Sequence, residues 1–451
     1  MDAFRIQGGA RLSGRLAVDG SKNACLPLMA AALMADEPVR LRRVPALSDI
    51  RNMSRLLGEL GCHVEGTHGT IRISSLDPAR VHARYDVVRT MRASICVLGP
   101  LLAKRRRAEV AMPGGCVFGA RPVDLHLRGL EALGAKIELR GGDIIATADK
   151  LTGATIFLGG PFGSTVLGTA NVMSAATLAK GRTIIESAAC EPEVVDLASL
   201  LNAMGAKIRG AGSPRIIIEG VDSLGGADHA VMPDRIVAAT YAVAAAITNG
   251  NVAIDDFPYD NLLAVVDRLT QVGVHVQQLD PNDDLTDDGG VCKVQITSDR
   301  LLSPVMITTQ PYPGFPTDLQ AQMMSLLCLA HGNSIITEKI YPERFTHVAE
   351  LTRMGAQIFR QGPTVMVQGV PRLVGAPVMA SDLRGSACLV LAGLAAEGET
   401  VVSRVYHLDR GYTRMDEALN RLGARIERFN ADAESPAAAD DERARATMEL
   451  V

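Results

Sequence analysis

The sequence predicts an α/β protein in which one small unit occurs six times. The first observation is an eight-residue phrase in which leucine and a second apolar residue precede a glycine and a short alternating segment. Its copies are L-G-E-L-G-C-H-V (57–64), L-E-A-L-G-A-K-I (130–137), L-N-A-M-G-A-K-I (201–208), L-T-Q-V-G-V-H-V (269–276), L-T-R-M-G-A-Q-I (351–358) and L-N-R-L-G-A-R-I (419–426). The second observation is the nearly even spacing of these copies. Their central glycines are 73, 71, 68, 82 and 68 residues apart. This period exceeds the roughly 20–50 residues of the common solenoid repeats, and it favours small α/β units.

Each phrase is interpreted as the end of a helix followed by a strand. The leucine and the apolar residue three positions later share one helix face, and the next glycine suits the left-handed position after a helix. These glycines are Gly61, Gly134, Gly205, Gly273, Gly355 and Gly423. The third observation is a set of segments that are apolar on all sides and therefore predict buried helices. They are 26–34, 170–179, 236–247 and 319–330.

Composition narrows the classes of function. The chain has 451 residues, of which 47% are hydrophobic, so it can bury a large core in two or three domains. The net charge is -4, and aromatic residues make up 4% without any Trp. Neither value favours binding to nucleic acid or to an anionic membrane. The small and charged composition after Asn430 predicts a solvated tail.

The eight cysteines and the apolar runs bear on compartment and metal binding. No two cysteines form a C-x-x-C pair, so a metal site is not expected, and free thiols in a chain of this size favour a reducing cytoplasm. The first residues, M-D-A-F-R-I-Q-G-G, lack the basic and apolar regions of a signal peptide. No apolar run approaches the roughly 20 residues that span a bilayer.

Several short polar motifs could hold an anionic ligand. The motif G-S-K-N (20–23) precedes a predicted buried helix, and Ser21 and Asn23 are residue types that cap helices. Lys22 would add positive charge at a helix start that already attracts anions, although an ordinary surface lysine is the alternative. Arginines suited to phosphate or carboxylate occur in further short motifs, where ion-paired surface residues are again the alternative. They are Arg92, Arg121, Arg344, Arg384 and Arg410.

Two residues are candidates for proton transfer. Asp318 lies in P-T-D-L-Q at the start of an apolar helix, and it is either a helix cap or a general base. Cys116 lies in M-P-G-G-C-V-F-G-A-R-P-V-D-L-H (112–126), five residues before Arg121. It is either an ordinary thiol or a reactive one, because the glycines permit close approach to a ligand and a nearby arginine favours the thiolate.

These residues lie in motifs that resemble the enolpyruvyl transferases. The resemblance runs from about Phe4 to Arg428 and is specific, because several motifs are long and occur in the family's order. The motifs are G-S-K-N-A-C-L-P, T-M-R-A-S, P-G-G-C-V-F-G-A-R-P-V-D-L-H, E-P-E-V-V-D, P-D-R-I, G-F-P-T-D-L-Q-A-Q, E-R-F, D-L-R-G-S-A and H-L-D-R-G-Y.

The resemblance implies a fold and a reaction. The expected fold is two inside-out α/β barrels, each of three βαβαββ repeats, with the active site in the cleft between the domains. The expected domains are 22–232, and 1–21 together with 233–430, followed by a tail at 431–451. The expected reaction transfers enolpyruvate from phosphoenolpyruvate to the 3′-hydroxyl of UDP-N-acetylglucosamine. It proceeds through a tetrahedral ketal and releases phosphate. The resemblance implies that this is the first committed step of peptidoglycan synthesis. The resemblance implies no cofactor, no metal and no obligate protein partner.

The resemblance also implies catalytic roles. Cys116 resembles a loop cysteine that protonates the methylene carbon of phosphoenolpyruvate or assists product release. That cysteine also forms an adduct with this substrate and is the target of fosfomycin. Asp318 resembles the carboxylate that accepts the hydroxyl proton. The cations expected around phosphoenolpyruvate are Lys22, Arg92, Arg121 and Arg410.

The remaining matched residues resemble substrate-binding positions. Asn23, Asp318 and Ile340 are expected to contact the sugar, and Arg344, Asp382 and Arg384 to lie beside the reacting centre. The residues expected along the uridine diphosphate are Arg121, Pro122, Val123, Asp124, Leu125, Thr165 and Val166. The chain departs from common family forms at Leu167, Cys190 and Val237, where glycine, arginine and glutamate are usual.

Three alternatives remain open from the sequence. An enolpyruvyl transferase acting on another acceptor, such as UMP, is suggested only by the altered segment 165–167. A shikimate-type transferase typically has G-S-K-S and lacks the loop cysteine, so Asn23 and Cys116 oppose it. A non-catalytic sensor of UDP-sugars is opposed by the retention of Lys22, Cys116 and Asp318 together with the arginines.

Overall fold

The computed structural model describes residues 2–67, 69–113, 123–279, 290–299 and 301–432. The chain divides into two compact units. Unit 1 contains the described parts of 1–18, 236–309 and 316–451, and unit 2 contains those of 19–235 and 310–315. The chain therefore passes from unit 1 to unit 2 and back twice.

The sheets of unit 2 share one pattern, in which a parallel pair at one edge is followed by two antiparallel pairs. In two of these sheets the pattern follows from a β-α-β crossover joined to a hairpin, whereas in the first sheet below the parallel partner is the last strand of the unit. In spatial order the strands are β14 (Ala227–Ala230), β3 (Val39–Val44), β5 (Gly69–Ser75) and β4 (Cys62–Thr67); β6 (His82–Ala83), β7 (Arg107–Ala111), β9 (Asp143–Thr147) and β8 (Lys136–Arg140); and β10 (Thr155–Phe157), β11 (Arg182–Glu186), β13 (Arg215–Glu219) and β12 (Lys207–Arg209).

The sheets of unit 1 repeat this pattern. In spatial order the strands are β16 (His275–Gln278), β17 (Val291–Thr297), β15 (Asn251–Pro258) and β2 (Ser13–Ala17); β18 (Met306–Thr308), β19 (Asn333–Thr337), β21 (Thr364–Gln368) and β20 (Gln357–Gln361); and β22 (Pro377–Met379), β23 (Glu399–Ser403), β1 (Asp2–Gln7) and β24 (Ile426–Asn430). Strand β1 lies between β23 and β24, so residues from both ends of the described chain close one sheet.

The helices fall into two classes. The core helices are almost wholly buried: α1 (Lys22–Ala31), α4 (Leu98–Arg105), α6 (Val166–Thr177), α8 (Arg235–Ile247), α10 (Gln320–Leu327) and α12 (Leu383–Ala395). The outer helices bury one face: α2 (Ser48–Glu59), α5 (Asp124–Ala132), α7 (Pro192–Ala203), α9 (Leu263–Val272), α11 (His347–Arg353) and α13 (Met415–Arg421), with the single turn α3 (Tyr85–Val88). The predicted buried helices are confirmed, although 319–330 is shorter as an α-helix and follows a 3-10 turn at Thr317–Leu319. Among the described helices, none combines the length and apolar character that crossing a membrane requires.

The glycine of each repeated phrase has the backbone conformation that the sequence predicts. All six have a φ between 79° and 105°, and each lies between an outer helix and the strand that follows it. A methyl group on Gly205 or Gly355 would meet no atom within 4 Å. Conformation rather than space therefore requires glycine there, since other L-residues are strained at positive φ.

A buried amide joins three helices of unit 2. Asn171 in α6 accepts a hydrogen bond from the Gly99 backbone N–H at 2.8 Å and donates to the Ile95 carbonyl at 2.9 Å. Its Nδ2 also lies 2.9 Å from Nδ1 of His126 in α5. Because the amide nitrogen donates, His126 Nδ1 accepts and the ring is neutral. Burial, and secondarily the charge of Arg92, lowers the pKa of His126 from 6.5 to about 4.

We predict that His126 makes the fold sensitive to acid. The unfolded chain takes up a proton near pH 6.5 and the folded ring only near pH 4, so stability is lost as the pH falls through this window. Replacement by glutamine, which can still accept from Asn171, should remove about 2 kcal/mol of the loss between pH 8 and pH 5. Urea unfolding at the two pH values measures this. The change His63→Gln at an exposed site is the control, and an unchanged pH slope in His126→Gln would contradict the prediction.

Candidate active site

Several of the predicted site residues lie at or just before the starts of core helices. Lys22 is the first residue of α1, Thr165 caps α6, and Asp382 caps α12. Arg92 opens a 3-10 turn, Arg92–Val97, that leads directly into α4. Asp318 lies in the turn before α10. A helix N-terminus presents unpaired N–H groups and a partial positive charge, so these positions favour phosphate and carboxylate groups.

Asp318 is held by two buried arginines within unit 1. Its Oδ1 accepts from Arg344 Nη1 at 2.7 Å, and its Oδ2 accepts from Arg384 Nε and Nη2 at 3.2 and 3.1 Å. The arginine side chains are 9% and 2% exposed, whereas that of Asp318 is 27% exposed, so the carboxylate remains within reach of a ligand. Pro316 precedes the turn as its cap residue, and the helix-cap alternative for Asp318 is therefore wrong.

Charge compensation explains how Arg344 is tolerated in the interior. Burial alone lowers the pKa of a guanidinium, but the charges of Asp318 and Asp382 and the hydrogen bond to Asp318 outweigh it. The pKa of Arg344 therefore lies above its usual value, and the group stays protonated.

Arg384 packs against Tyr412, whose hydroxyl belongs to a buried polar network. Its guanidinium carbon lies 5.4 Å from the centre of the Tyr412 ring, a distance typical of a cation–π contact. The Tyr412 hydroxyl lies 3.2 Å from Gln322 Nε2 and 3.0 Å from Thr240 Oγ1. Gln322 Nε2 also donates to the Asp318 carbonyl at 2.9 Å. Helices α8 and α10 are thus tied to the segment that follows Arg410.

Asp382 fixes the start of α12. Its Oδ1 accepts from the backbone N–H groups of Arg384 and Gly385 at 2.9 and 3.0 Å. Its Oδ2 accepts from the hydroxyls of Thr346 and Ser381 at 3.2 and 3.3 Å. The carboxylate therefore orients the helix turn that carries Arg384.

Arg410 and Ile340 complete the predicted residues of unit 1. Arg410 ends a 3-10 turn, Val405–Arg410. The pKa of His407 is lowered, first by burial and second by the positive charge of Arg410. The charge of Asp382 acts on the pKa of His407 in the opposite direction. Ile340 is half-buried, and its backbone N–H donates to Glu338 at 2.8 Å.

In unit 2, Lys22 is buried beside a carboxylate. Its Nζ lies 3.5 Å from Asp49 Oδ2, and its backbone N–H donates to Asp234 at 3.1 Å. Ser21 caps α1 as predicted, accepting from the Ala24 N–H at 3.3 Å, and the half-buried Asn23 follows in the first turn.

The predicted nucleotide residues begin helices α5 and α6. Val123 caps α5, Asp124 is its exposed first residue and Leu125 is half-buried. Thr165 accepts from the Gly168 N–H at 3.2 Å, and Val166 and Leu167 are the first two residues of α6. Leucine at 167 therefore occupies ordinary helical backbone.

Three predicted residues, Cys116, Arg121 and Pro122, lie outside the described residues. Two departures from common family forms are described: Cys190 is half-buried and Val237 is buried in α8. Among the described residues, no group of three or more histidine, cysteine or acidic side chains has the geometry of a metal site.

The acidic residues of E-P-E-V-V-D had no assigned roles in the sequence, and the structure gives each a contact. Glu193 accepts from Arg235 Nε and Nη2 at 2.9 and 3.2 Å. Asp196 lies 2.8 Å from His229 Nε2, and Glu191 accepts from the Tyr312 N–H at 3.4 Å. The pKa of Glu191 is raised, and burial is the largest cause. The motif thus anchors 229–235 and 310–315, the parts of unit 2 next to the crossings between units. Three carboxylates at one helix start were the only sequence signal.

Known proteins resemble this chain over nearly its whole length. Residues 6–430 match the family profile described as EPSP synthase (3-phosphoshikimate 1-carboxyvinyltransferase). Proteins named UDP-N-acetylglucosamine 1-carboxyvinyltransferase from Nitratidesulfovibrio vulgaris and Desulfovibrio desulfuricans are 51% and 52% identical, covering 95% of this chain and 99% of each relative. The namesake from Akkermansia muciniphila is 48% identical over 96% of this chain and 100% of its own.

Solved structures agree with the fold. The crystal structure of the enolpyruvyl transferase NikO from Streptomyces tendae has a TM-score of 0.84 and 26% identity, covering 95% of this chain and 99% of its own. EPSP synthase from Acinetobacter baumannii has a TM-score of 0.75 at 19% identity over 95% and 100% of the two chains, a likeness of fold alone. The predicted fold class is confirmed. The chain belongs to the enolpyruvyl transferase family and, within it, groups with the UDP-N-acetylglucosamine 1-carboxyvinyltransferases.

Proposed function

We propose that the chain transfers the enolpyruvyl group of phosphoenolpyruvate to the 3′-hydroxyl of UDP-N-acetylglucosamine and releases inorganic phosphate. Relatives of about half-identical sequence bear the name of this activity, and none of those cited is named for transfer to UMP. The observation that carries the proposal is the half-buried carboxylate of Asp318, held by Arg344 and Arg384 at the start of α10. The product would enter peptidoglycan synthesis in the cytoplasm.

The first step is an addition. The 3′-oxygen attacks C2 of phosphoenolpyruvate while Asp318 accepts the hydroxyl proton, and C3 takes up a proton from an acid, for which we propose Cys116. The result is a tetrahedral ketal that carries both the sugar oxygen and the phosphate on C2. The paired guanidiniums orient the Asp318 carboxylate before the substrate arrives.

The second step is an elimination. C3 returns a proton to the base left by the first step, for which we propose the Cys116 thiolate, the bond from C2 to the phosphate oxygen breaks, and the double bond forms again as phosphate leaves. The proton that Asp318 accepted in the first step passes to solvent. We assign binding of the phosphate and carboxylate groups to Lys22, Arg92, Arg121 and Arg410, because fixed cations stabilise the charge that accumulates on the leaving group. No oxidation or reduction is involved.

The remaining residues are assigned to the acceptor. Asn23, Asp318 and Ile340 are proposed to contact the sugar, and Arg344, Asp382 and Arg384 to surround the reacting centre. The segment 121–125, with Thr165 and Val166, is proposed to hold the uridine diphosphate, supported by the helix starts at α5 and α6. The predicted domains, 22–232 and 1–21 with 233–430, are proposed as the two family domains, with 431–451 as a tail.

The proposal predicts which acceptor supports phosphate release. Purified protein should release phosphate from phosphoenolpyruvate with UDP-N-acetylglucosamine and only at background rate with UMP. Release with UMP alone would establish the other acceptor class, and no release with either would favour a binding protein without catalysis.

In the same assay, Asp318→Asn should lower kcat by about 10²–10⁴-fold, because the amide cannot take the hydroxyl proton. Asp267→Asn removes a carboxylate on the exposed face of α9 and is the matched control. Near-normal kcat in Asp318→Asn would exclude this residue as the base.

Fosfomycin should label Cys116 and leave the other cysteines intact. Burial, as the largest cause, raises the pKa of Cys25, Cys62, Cys96, Cys190, Cys328 and Cys388, to about 12 for Cys96 and Cys328. A thiol with a raised pKa supplies little thiolate for attack on the drug.

Peptide mapping by mass spectrometry should therefore find the adduct at residue 116, formed faster when UDP-N-acetylglucosamine is present. Cys116→Asp should turn over and resist the drug, since a carboxylic acid can still deliver a proton. An adduct on Cys25 or Cys190, or drug-sensitive turnover by Cys116→Asp, would refute the assignment.

A further inference from the structure

Glu338 is a fully buried carboxylate with four hydrogen bonds. Its Oε1 accepts from the Thr309 hydroxyl at 2.7 Å and from the backbone N–H groups of Ile340 and Tyr341 at 2.8 and 2.9 Å. Its Oε2 accepts from the Thr317 hydroxyl at 2.9 Å. Burying a carboxylate is unfavourable unless hydrogen bonds compensate it, and these donors supply that compensation.

The donors come from two segments that the proposed reaction uses. Ile340 and Tyr341 form the loop after β19, and Ile340 is proposed to contact the sugar. Thr309 and Thr317 flank 310–315, where the chain leaves unit 1 and returns to it. A single carboxylate therefore fixes the sugar-side loop and both ends of this excursion. All five of these residues belong to unit 1.

A short chain of contacts leads from Glu338 to the proposed base. The Thr317 hydroxyl donates to Glu338 and accepts from Arg344 Nη1 at 3.1 Å. The same Nη1 donates to Asp318 Oδ1 at 2.7 Å. Because a hydroxyl has one proton, its donation to Glu338 leaves its lone pairs facing the guanidinium. The charge of Glu338 thus sets the direction of the Thr317 hydroxyl and, through it, the placement of Arg344.

We propose that Glu338 is a positioning residue for the transfer reaction, which fixes the backbone at Ile340 for the sugar and orients Arg344 on Asp318 through Thr317. This inference rests on the proposed function. Glu338 touches neither substrate in this account. The two oxygens serve different ends, since Oε1 holds the loop and Oε2 holds Thr317, and the two effects are separable by mutation.

Three variants separate the two effects. Glu338→Gln can keep the three bonds at Oε1 through its amide oxygen but places an NH2 group against the Thr317 hydroxyl. It should lower kcat by about 10-fold and leave KM for UDP-N-acetylglucosamine within about 2-fold, on the scale of one charge-assisted hydrogen bond. Thr317→Val should have the same signature. Glu338→Ala also frees the loop and should raise KM for the sugar nucleotide by about 10-fold.

The control is Glu350→Ala, which removes a carboxylate that accepts the Met379 N–H at 3.1 Å elsewhere in unit 1. It should lower the melting temperature without changing kcat or KM. Steady-state phosphate release is measured with both substrates varied, after circular dichroism establishes that each variant is folded.

Wild-type kcat in both Glu338→Gln and Thr317→Val would overturn the proposal. So would a folded Glu338→Ala that retains normal KM for the sugar nucleotide. If Glu338→Ala does not fold, the other two variants still decide the outcome. Failure of the wild-type protein to release phosphate would instead count against the proposed function, so the two failures are distinguishable.

Discussion

Two buried guanidiniums share one carboxylate, and the arrangement of unit 1 around its proposed site depends on this interaction. Arg344 and Arg384 come from separate segments, and Asp318 is bonded to both. Removing the carboxylate would leave two charges in the interior without their main compensation, which is far more costly than losing an exposed ion pair. Arg384 also contacts the Tyr412 ring through its guanidinium and donates its backbone N–H to Asp382. The proposed reactivity and the stability of unit 1 therefore depend on the same contacts.

The repeated fold explains why such contacts occur at helix starts. Each crossover unit buries an apolar helix behind its sheet, and the first turn of that helix is where the backbone N–H groups lack partners. Ser21, Thr165 and Asp382 cap these starts with side-chain oxygens. Charged residues placed there, such as Lys22 and Arg384, add to a partial positive charge that the fold already supplies. Helix starts of this kind can bind phosphate and carboxylate groups.

The sequence predicted the elements more fully than the contacts. Periodicity revealed the six repeats, and Gly205 and its equivalents have the predicted left-handed backbone, because local sterics decide both. Asp318 could not be separated from a helix cap in the sequence, since a cap and an ion pair use the same residue type. The start of the turn at Pro316 and the contacts with Arg344 and Arg384, 26 and 66 positions away, distinguish the two. The sequence did not predict the contact of Glu193 with Arg235 or that of Glu338 with Thr309 for the same reason, because these partners lie 42 and 29 positions away. The resemblance supplied roles for Lys22 and Arg410 that spacing alone did not.

The strength of the coupling between Asp318 and Arg384 tests the central claim most directly. A double-mutant cycle with Asp318→Asn and Arg384→Met, measured by urea unfolding, isolates the interaction from the packing of either side chain. The account predicts a coupling energy of about 2–3 kcal/mol, as for an ion pair in the interior. A coupling below about 0.5 kcal/mol, typical of exposed pairs, would contradict it.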